Sequence, residues 1–132
     1  MNKKIKKILK KKKKSKIICL TSYSKNIAEE ADKYADIILV GDSLGSVLYN
    51  HDTTKKVTLT NMIDHSKSVR LGVKKSLMVV DMPYQTYNST KTAFKNAKKI
   101  MKETKCDAVK LEGGKKIVNQ IKLLIKNKIP VM

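Results

Sequence analysis

Three carboxylates occupy similar places along this chain. Asp42 follows the apolar run Ile37-Ile38-Leu39-Val40, Asp81 follows Leu77-Met78-Val79-Val80, and Glu112 ends Ala108-Val109-Lys110-Leu111-Glu112. If the runs are parallel strands, each acid lands at a carboxyl end, where α/β folds build their sites. Three acids converging in one mouth repel one another unless a cation neutralises them. Hard oxygen donors without His or Cys suit Mg2+. Lys110 and Glu112 are two apart and share one side of their strand. A lysine beside such a cation could hold the carboxylate of an anionic substrate. The competing reading makes each aspartate a cap of the following turn or helix. It accounts well for any one of them, and poorly for three on consecutive strands with a lysine among them.

Positioning these residues requires alternating elements. Residues 17–21, 36–40, 76–80 and 108–111 read as strands, and 129–132 opens a fifth. Helices are expected over 26–34, over 60–71, from Ser89 or Thr90 to about 103, and over 115–127. In the first of these Ile27, Ala28, Ala31 and Tyr34 share one side, and in the third Ala93, Phe94, Ala97, Ile100 and Met101 do. Thr60 or Asn61 is the expected N-cap of the second, and Gly72 its expected end. Residues 45–59, rich in Thr, Asn and Gly, read as loop. Strands alternating with helices imply a parallel α/β sheet. The strands are continuous apolar runs, so both faces are buried. A doubly wound sheet and a (β/α)8 barrel both fit. No G-x-G-x-x-G turn follows the first strand, which weakens the dinucleotide reading. A barrel takes about 250 residues; four units and a fifth strand in 132 residues scale to the N-terminal half of an incomplete TIM barrel. Residues 17–132 then hold those units, and 1–16 form a basic N-terminal helix or tail.

The formal charge of +19 invites a nucleic-acid reading. Residues 1–16 contain 10 of the 30 basic residues and no acidic one, leaving 20 basic against 11 acidic residues over the rest. Nearly all the excess is lysine, with Arg70 the one arginine, and Phe94 the one phenylalanine in a chain without tryptophan. Bidentate recognition and stacking platforms are therefore scarce, and no specific nucleic-acid partner is expected. A basic binding module remains the alternative; it predicts steeply salt-dependent binding through residues 3–16. No apolar run approaches the roughly 20 residues needed to span a membrane. The N-terminus is too charged for a secretory signal, so the cytoplasm is the expected compartment. Cys19 and Cys106 lack metal-ligand spacing and read as core or near-core residues.

Four motifs carry a resemblance. Val40-Gly41-Asp42-Ser43-Leu44-Gly45, His51-Asp52-Thr53-Thr54 with Val57-Thr58, Asp81-Met82-Pro83-Tyr84, and Val109-Lys110-Leu111-Glu112-Gly113-Gly114 resemble, in order and spacing, the ketopantoate hydroxymethyltransferases. Leu20-Thr21-Ser22-Tyr23 resembles that family's first-strand motif, and His65, Val69-Arg70 and Gly72 also fit. The resemblance runs from about residue 16 to 132. It implies a Mg2+-dependent transferase of pantothenate synthesis, in which Asp42 and Asp81 bind the metal and Glu112 completes its site, directly or through water. Asp42, Ser43, Asp81 and Lys110 would bind 3-methyl-2-oxobutanoate, with Tyr23 lining the pocket. The metal would act as Lewis acid for enolate formation. The enolate would take the one-carbon unit of 5,10-methylenetetrahydrofolate, giving 2-dehydropantoate. The resemblance also implies a large homo-oligomer at full length.

Some positions depart from the family pattern. Ser24 stands where Asp is usual, Asn50 where Gly is usual, and Lys55-Lys56 replace a less charged pair containing Pro. His51 and His65 read as structural. The family's general base, a glutamate on a later strand, is expected beyond Met132, so no catalytic residue is assigned in this chain. A Gly-His-Leu-Gly motif is likewise expected straight after Val131-Met132. The chain reads as a fragment, with exposed sheet edges, poor solubility and negligible turnover as expectations. Enzymes of the phosphoenolpyruvate mutase and isocitrate lyase type, which also gather acids around Mg2+, are the competing enzyme class. Dependence on the folate separates the two.

Overall fold

The computed structural model describes residues 2–132. Four strands, β1 (Cys19–Thr21), β2 (Ile37–Val40), β3 (Leu77–Asp81) and β4 (Ala108–Lys110), form one parallel sheet in sequence order. The register places Cys19 opposite Ile37, Ile37 opposite Leu77, Val79 opposite Ala108, and Asp81 opposite Lys110. The strand expected over 129–132 is reduced to a single parallel bridge between Val131 and Val109. Met132 N–H donates to the Val109 carbonyl at 2.9 Å, and Leu111 N–H to the Met132 carbonyl at 3.3 Å, so this segment already pairs along β4.

Side chains alternate across this sheet, and both faces are used. Ile38, Val40, Met78, Val80 and Val109 face the main core. Over it lie α2 (Lys25–Ala31), α4 (Leu59–Gly72), α5 (Thr90–Thr104) and α6 (Val118–Lys126), packed side by side in that order. Ile37, Leu77, Val79 and Ala108 face the opposite way and receive Ile5 and Ile8 of α1 (Lys3–Lys11). Each fully buried branched side chain contributes roughly 1.5–3 kcal/mol. Two-sided burial explains the unbroken apolar runs of β2 and β3, whereas β1, at the sheet edge, is exposed along its length against that expectation.

Several local expectations are revised. Residues 45–59 are not all loop: Leu44–Tyr49 form a short helix, α3, and Thr54–Lys56 a 3-10 turn. Asn50 closes α3 with φ of 53°, a left-handed conformation that favours Gly and Asn, which accounts for Asn in a position where Gly is usual. The N-cap of α4 is Thr58, in a reciprocal capping box with Asn61. Gly72 is the last residue of α4, as expected of its end, and Val73 is the C-cap. A Cβ there would come within 2.4 Å of the Lys25 carbonyl, so Gly72 permits the close approach of α2 and α4. On α2 only Ala28 is buried; Ile27 and Tyr34 are exposed on the side next to β1, where no further element packs. Cys106 is buried, but Cys19 is exposed on the edge strand.

Acids brace the amino end of the sheet. Asp32 accepts backbone N–H groups of Lys74, Lys75 and Ser76 at 2.9, 2.9 and 2.8 Å. Asp36 accepts Ile18 N–H at 3.1 Å and the Lys11 ammonium at 2.7 Å. Asp107 accepts Met78 N–H at 3.0 Å. Lys4 donates to the Ser76 carbonyl at 2.8 Å, tying α1 across this end.

Candidate active site

At the carboxyl end the strands deliver a different set of acids. Asp81 is the last residue of β3 and Lys110, its register partner, the last of β4. Asp42 lies two residues beyond β2, and Glu112 two beyond β4. Asp42, Asp81, Lys110 and Glu112 line one cavity of about 150 Å3. Register therefore does the gathering: three adjacent parallel strands end at the same level and project their terminal residues together.

The cavity is tightly coupled. Asp42 N–H donates to Asp81 Oδ2 at 3.1 Å. Gly41 allows this turn to close, since a Cβ there would lie 2.8 Å from Ser43 Oγ and 3.6 Å from Asp81 Oδ2. The Lys110 ammonium lies 2.9 Å from Asp81 Oδ1 and 2.8 Å from Glu112 Oε1. Its direction to Asp81 Oδ1 is off the line of a hydrogen bond, so that buried oxygen has an ion pair but no formed hydrogen bond. Burial pushes the Asp42 carboxyl up, and the charges of Asp81 and Glu112 add to the shift against the pull of Lys110 and Thr54. Burial likewise pushes Asp81 up, more than its contact with Lys110 pulls it down. Burial alone would lower Lys110; its contacts with Glu112 and Asp81 outweigh that and raise it.

These features fit a hard divalent cation. Asp42 and Asp81 are neighbouring, desolvated oxygen donors whose environment disfavours their negative charge, a penalty that a cation between them removes. Asp81 Oδ1 is a buried acceptor with capacity to spare. Glu112 differs, because its carboxylate is largely exposed and engaged with Lys110. Among the described residues no group of three His, Cys, Asp or Glu side chains is gathered in a metal-holding arrangement. The donor set is thus two carboxylates, with Glu112 within electrostatic range of both.

Neither Tyr23 nor Ser43 lines this cavity: their hydroxyls lie 2.8 Å apart, and Tyr23 lines a separate pocket with Tyr49 and His65. Tyr23 is held from behind. His65 Nδ1 donates to the Tyr23 carbonyl at 2.8 Å, which leaves Nε2 to accept the Tyr49 hydroxyl at 2.8 Å. His51 Nδ1 is buried without a partner, and its ring lies 5.6 Å from that of Tyr49.

Thr54, Lys55, Met82, Tyr84 and Tyr87 also line the cavity, and none was singled out from residue chemistry. Thr54, Met82 and Tyr84 lie within motifs already quoted, so spacing carried a signal for them. Tyr87 carried none. Burial pushes its hydroxyl up, moderated by a backbone hydrogen bond with Glu112. Met132, the residue beyond which the general base is expected, is not among the cavity residues. Its side chain is exposed and lines the apolar groove beside α1, on the other face of the sheet, with Ile5, Ile8 and Leu77.

The family model for ketopantoate hydroxymethyltransferase matches residues 2–132. A 3-methyl-2-oxobutanoate hydroxymethyltransferase of Pelagibacter ubique is 69% identical over 132 residues, 100% of this chain and 51% of that protein. The enzyme of the same description from Rhizobium etli is 52% identical over 117 residues, 88% of this chain and 43% of its own. The chain therefore spans about half the length of the curated relatives it matches. Among solved structures, a 2,3-dimethylmalate lyase of the PEP mutase/isocitrate lyase superfamily superposes with a TM-score of 0.69 at 13% identity, covering 96% of this chain and 50% of that one. An oxaloacetate acetylhydrolase gives 0.67 at 12%, covering 93% and 47%. At such identities the likeness concerns the fold: parallel β/α units corresponding to about half of a TIM-barrel enzyme. No described helix is long and apolar enough to cross a membrane.

Proposed function

The chain belongs to the ketopantoate hydroxymethyltransferase family, and on that premise we propose that it supplies the cation- and keto-acid-binding part of a transferase acting on 3-methyl-2-oxobutanoate. The proposed reaction moves the one-carbon unit of 5,10-methylenetetrahydrofolate to the keto acid, giving 2-dehydropantoate. The observation that carries this reading is the pairing of Asp42 and Asp81, raised by burial, in one cavity with Lys110.

Asp42 and Asp81 would hold Mg2+, with Glu112 completing the site through water. When bound, the metal supplies Lewis acidity that favours the enolate of the keto acid. This chain's residues do the positioning. The Asp42 N–H aims the Asp81 carboxylate, and Tyr23 holds the Ser43 hydroxyl. Lys110 supplies positive charge against the acids. Asp42, Ser43, Asp81, Lys110 and Tyr23 form the proposed keto-acid contact set. The general base is proposed to come from a segment following Met132 in the full-length protein. A cytoplasmic setting and assembly of that protein into a homo-oligomer complete the reading.

Calorimetric titration of 3-methyl-2-oxobutanoate into the chain, with and without Mg2+, tests this reading. The expected result is binding that requires the metal and weakens by at least about tenfold in Asp81→Asn, since the variant loses a charged oxygen donor to the cation. Binding that ignores both the metal and the substitution would sink the reading. The lyase-type reading predicts no dependence on methylenetetrahydrofolate; 69% identity to a hydroxymethyltransferase favours transfer.

A further inference from the structure

We propose that Lys55 is an anion-binding residue at the mouth of this cavity, taking a ligand carboxylate that Lys110 cannot accept alone. The inference rests on the keto-acid reading and adds a residue to it. Two cations line the cavity, Lys55 and Lys110. Lys110 already lies within 2.9 Å of Asp81 and 2.8 Å of Glu112, so its charge is committed to two carboxylates. Among the described residues no carboxylate lies within ion-pair distance of Lys55; its neighbour Lys56 is paired with Asp52 at 2.7 Å. Lys55 is thus the cavity-lining cation with charge to offer an incoming anion.

Its placement is built, not incidental. Lys55 lies in the 3-10 turn Thr54–Lys56, which is fixed on both sides. Before it, Thr53 accepts the Lys55 N–H at 3.3 Å, and Thr54 lines the cavity with Asp42. After it, Val57 is buried against Gly45, where even a Cβ would come within 2.5 Å of Val57 Cγ2. The ammonium lies 5.2 Å from the ring centroid of Tyr84, another cavity residue. The aromatic face steers the cation without neutralising it.

Charge makes the consequence concrete. Asp42, Asp81 and Glu112 against Lys110 alone leave the cavity at −2. A divalent cation brings that to neutral, and Lys55 makes the loaded cavity net positive toward an anion. The ligand chemistry is a carboxylate. It has two sources in the proposed reaction, the keto acid itself and the glutamyl tail of the reduced folate.

Calorimetry on the chain with Mg2+ present separates them, using 3-methyl-2-oxobutanoate and tetrahydrofolate with one or three glutamates as probes. Lys55→Met, Lys55→Arg and the control Lys56→Met are compared with the wild type. The substituted side chains are exposed, and circular dichroism verifies that each variant folds. If the keto acid is the source, Lys55→Met weakens its binding roughly tenfold, the scale of one charge-assisted contact. Lys55→Arg then restores it and Lys56→Met leaves it unchanged. If the tail is the source, the loss appears with the triglutamate and not with the keto acid. Unchanged affinity for every probe in Lys55→Met overturns the inference, while the keto-acid reading survives if Asp81→Asn still blocks binding. Absence of any binding by the wild type overturns both.

Discussion

The two ends of one short sheet carry acids of opposite character. At the amino end Asp32, Asp36 and Asp107 accept backbone N–H groups from neighbouring segments, and lysines reach across to Asp36 and Asp107. Burial would raise Asp32, but its three backbone donors outweigh that and hold the carboxyl at about 2. Its contact with Lys11, then the Ile18 N–H, hold Asp36 low as well. At the carboxyl end Asp42 and Asp81 are raised, by burial first and by neighbouring acids besides. The lesson is that a carboxylate's partners reveal its task. Acids satisfied by the chain stabilise the fold, whereas acids that the chain leaves under-satisfied are destabilising until a ligand arrives. Barrel enzymes divide stability and chemistry between these two ends in the same way.

That division can be broken from either side. The largest effect is expected for Asp32→Ala, which leaves three backbone donors without their acceptor. We expect about 3 kcal/mol of lost stability, read from the urea midpoint at constant slope. A loss below about 1 kcal/mol would mean that water replaces the carboxylate and that the amino-end acids are not structural.

A pH series sharpens the same point. Asp32 has a folded pKa of about 2 against an ordinary value of 3.8. A depressed acid contributes stability that is fully present above its unfolded pKa and is lost as pH falls through the folded one. The contribution, about 2 kcal/mol, should therefore be intact at pH 5 and fade between about pH 4 and 2. In Asp32→Asn that part of the acid loss should disappear. An identical acid profile in the variant contradicts the assignment.

Lys11→Ala is expected to cost about 1 kcal/mol, because Asp36 loses its ammonium partner but keeps the Ile18 N–H. The smallest stability effect is expected at the other end. Asp81→Asn removes a charge that its surroundings disfavour, so its unfolding free energy should stay within about 1 kcal/mol of wild type, or rise. A large loss there would erase the contrast between the two ends.

Much of this arrangement is legible in the residues, for a physical reason. Two-sided burial forces unbroken apolar runs, and parallel register then brings whatever follows each run to the same level. Asp42, Asp81, Lys110 and Glu112 are found that way. What escapes is set by packing and not by local pattern. Residues 45–59 look like loop because Gly45, Asn50 and the Thr53-Thr54 pair read as breakers, which hides the short, largely apolar α3 and the turn that presents Lys55. Gly72 reads as a helix stop and α4 does end there, but its second role, the close approach of α2, depends on packing. Ile27 and Tyr34 fit an apolar helix side and are exposed, since burial needs a neighbour as well as a stripe. Tyr87 enters the cavity from an irregular segment after β3, where no periodicity applies.

One measurement bears most directly on the contrast: thermal unfolding of the chain as Mg2+ is added, for wild type and Asp81→Asn side by side. A cation bound by the folded state alone raises the midpoint in proportion to the logarithm of its concentration once past its Kd. The account predicts that rise in the wild type and its loss in Asp81→Asn, from a metal-free midpoint close to the wild type's or above it. An equal rise in both proteins would place the cation elsewhere and contradict the account.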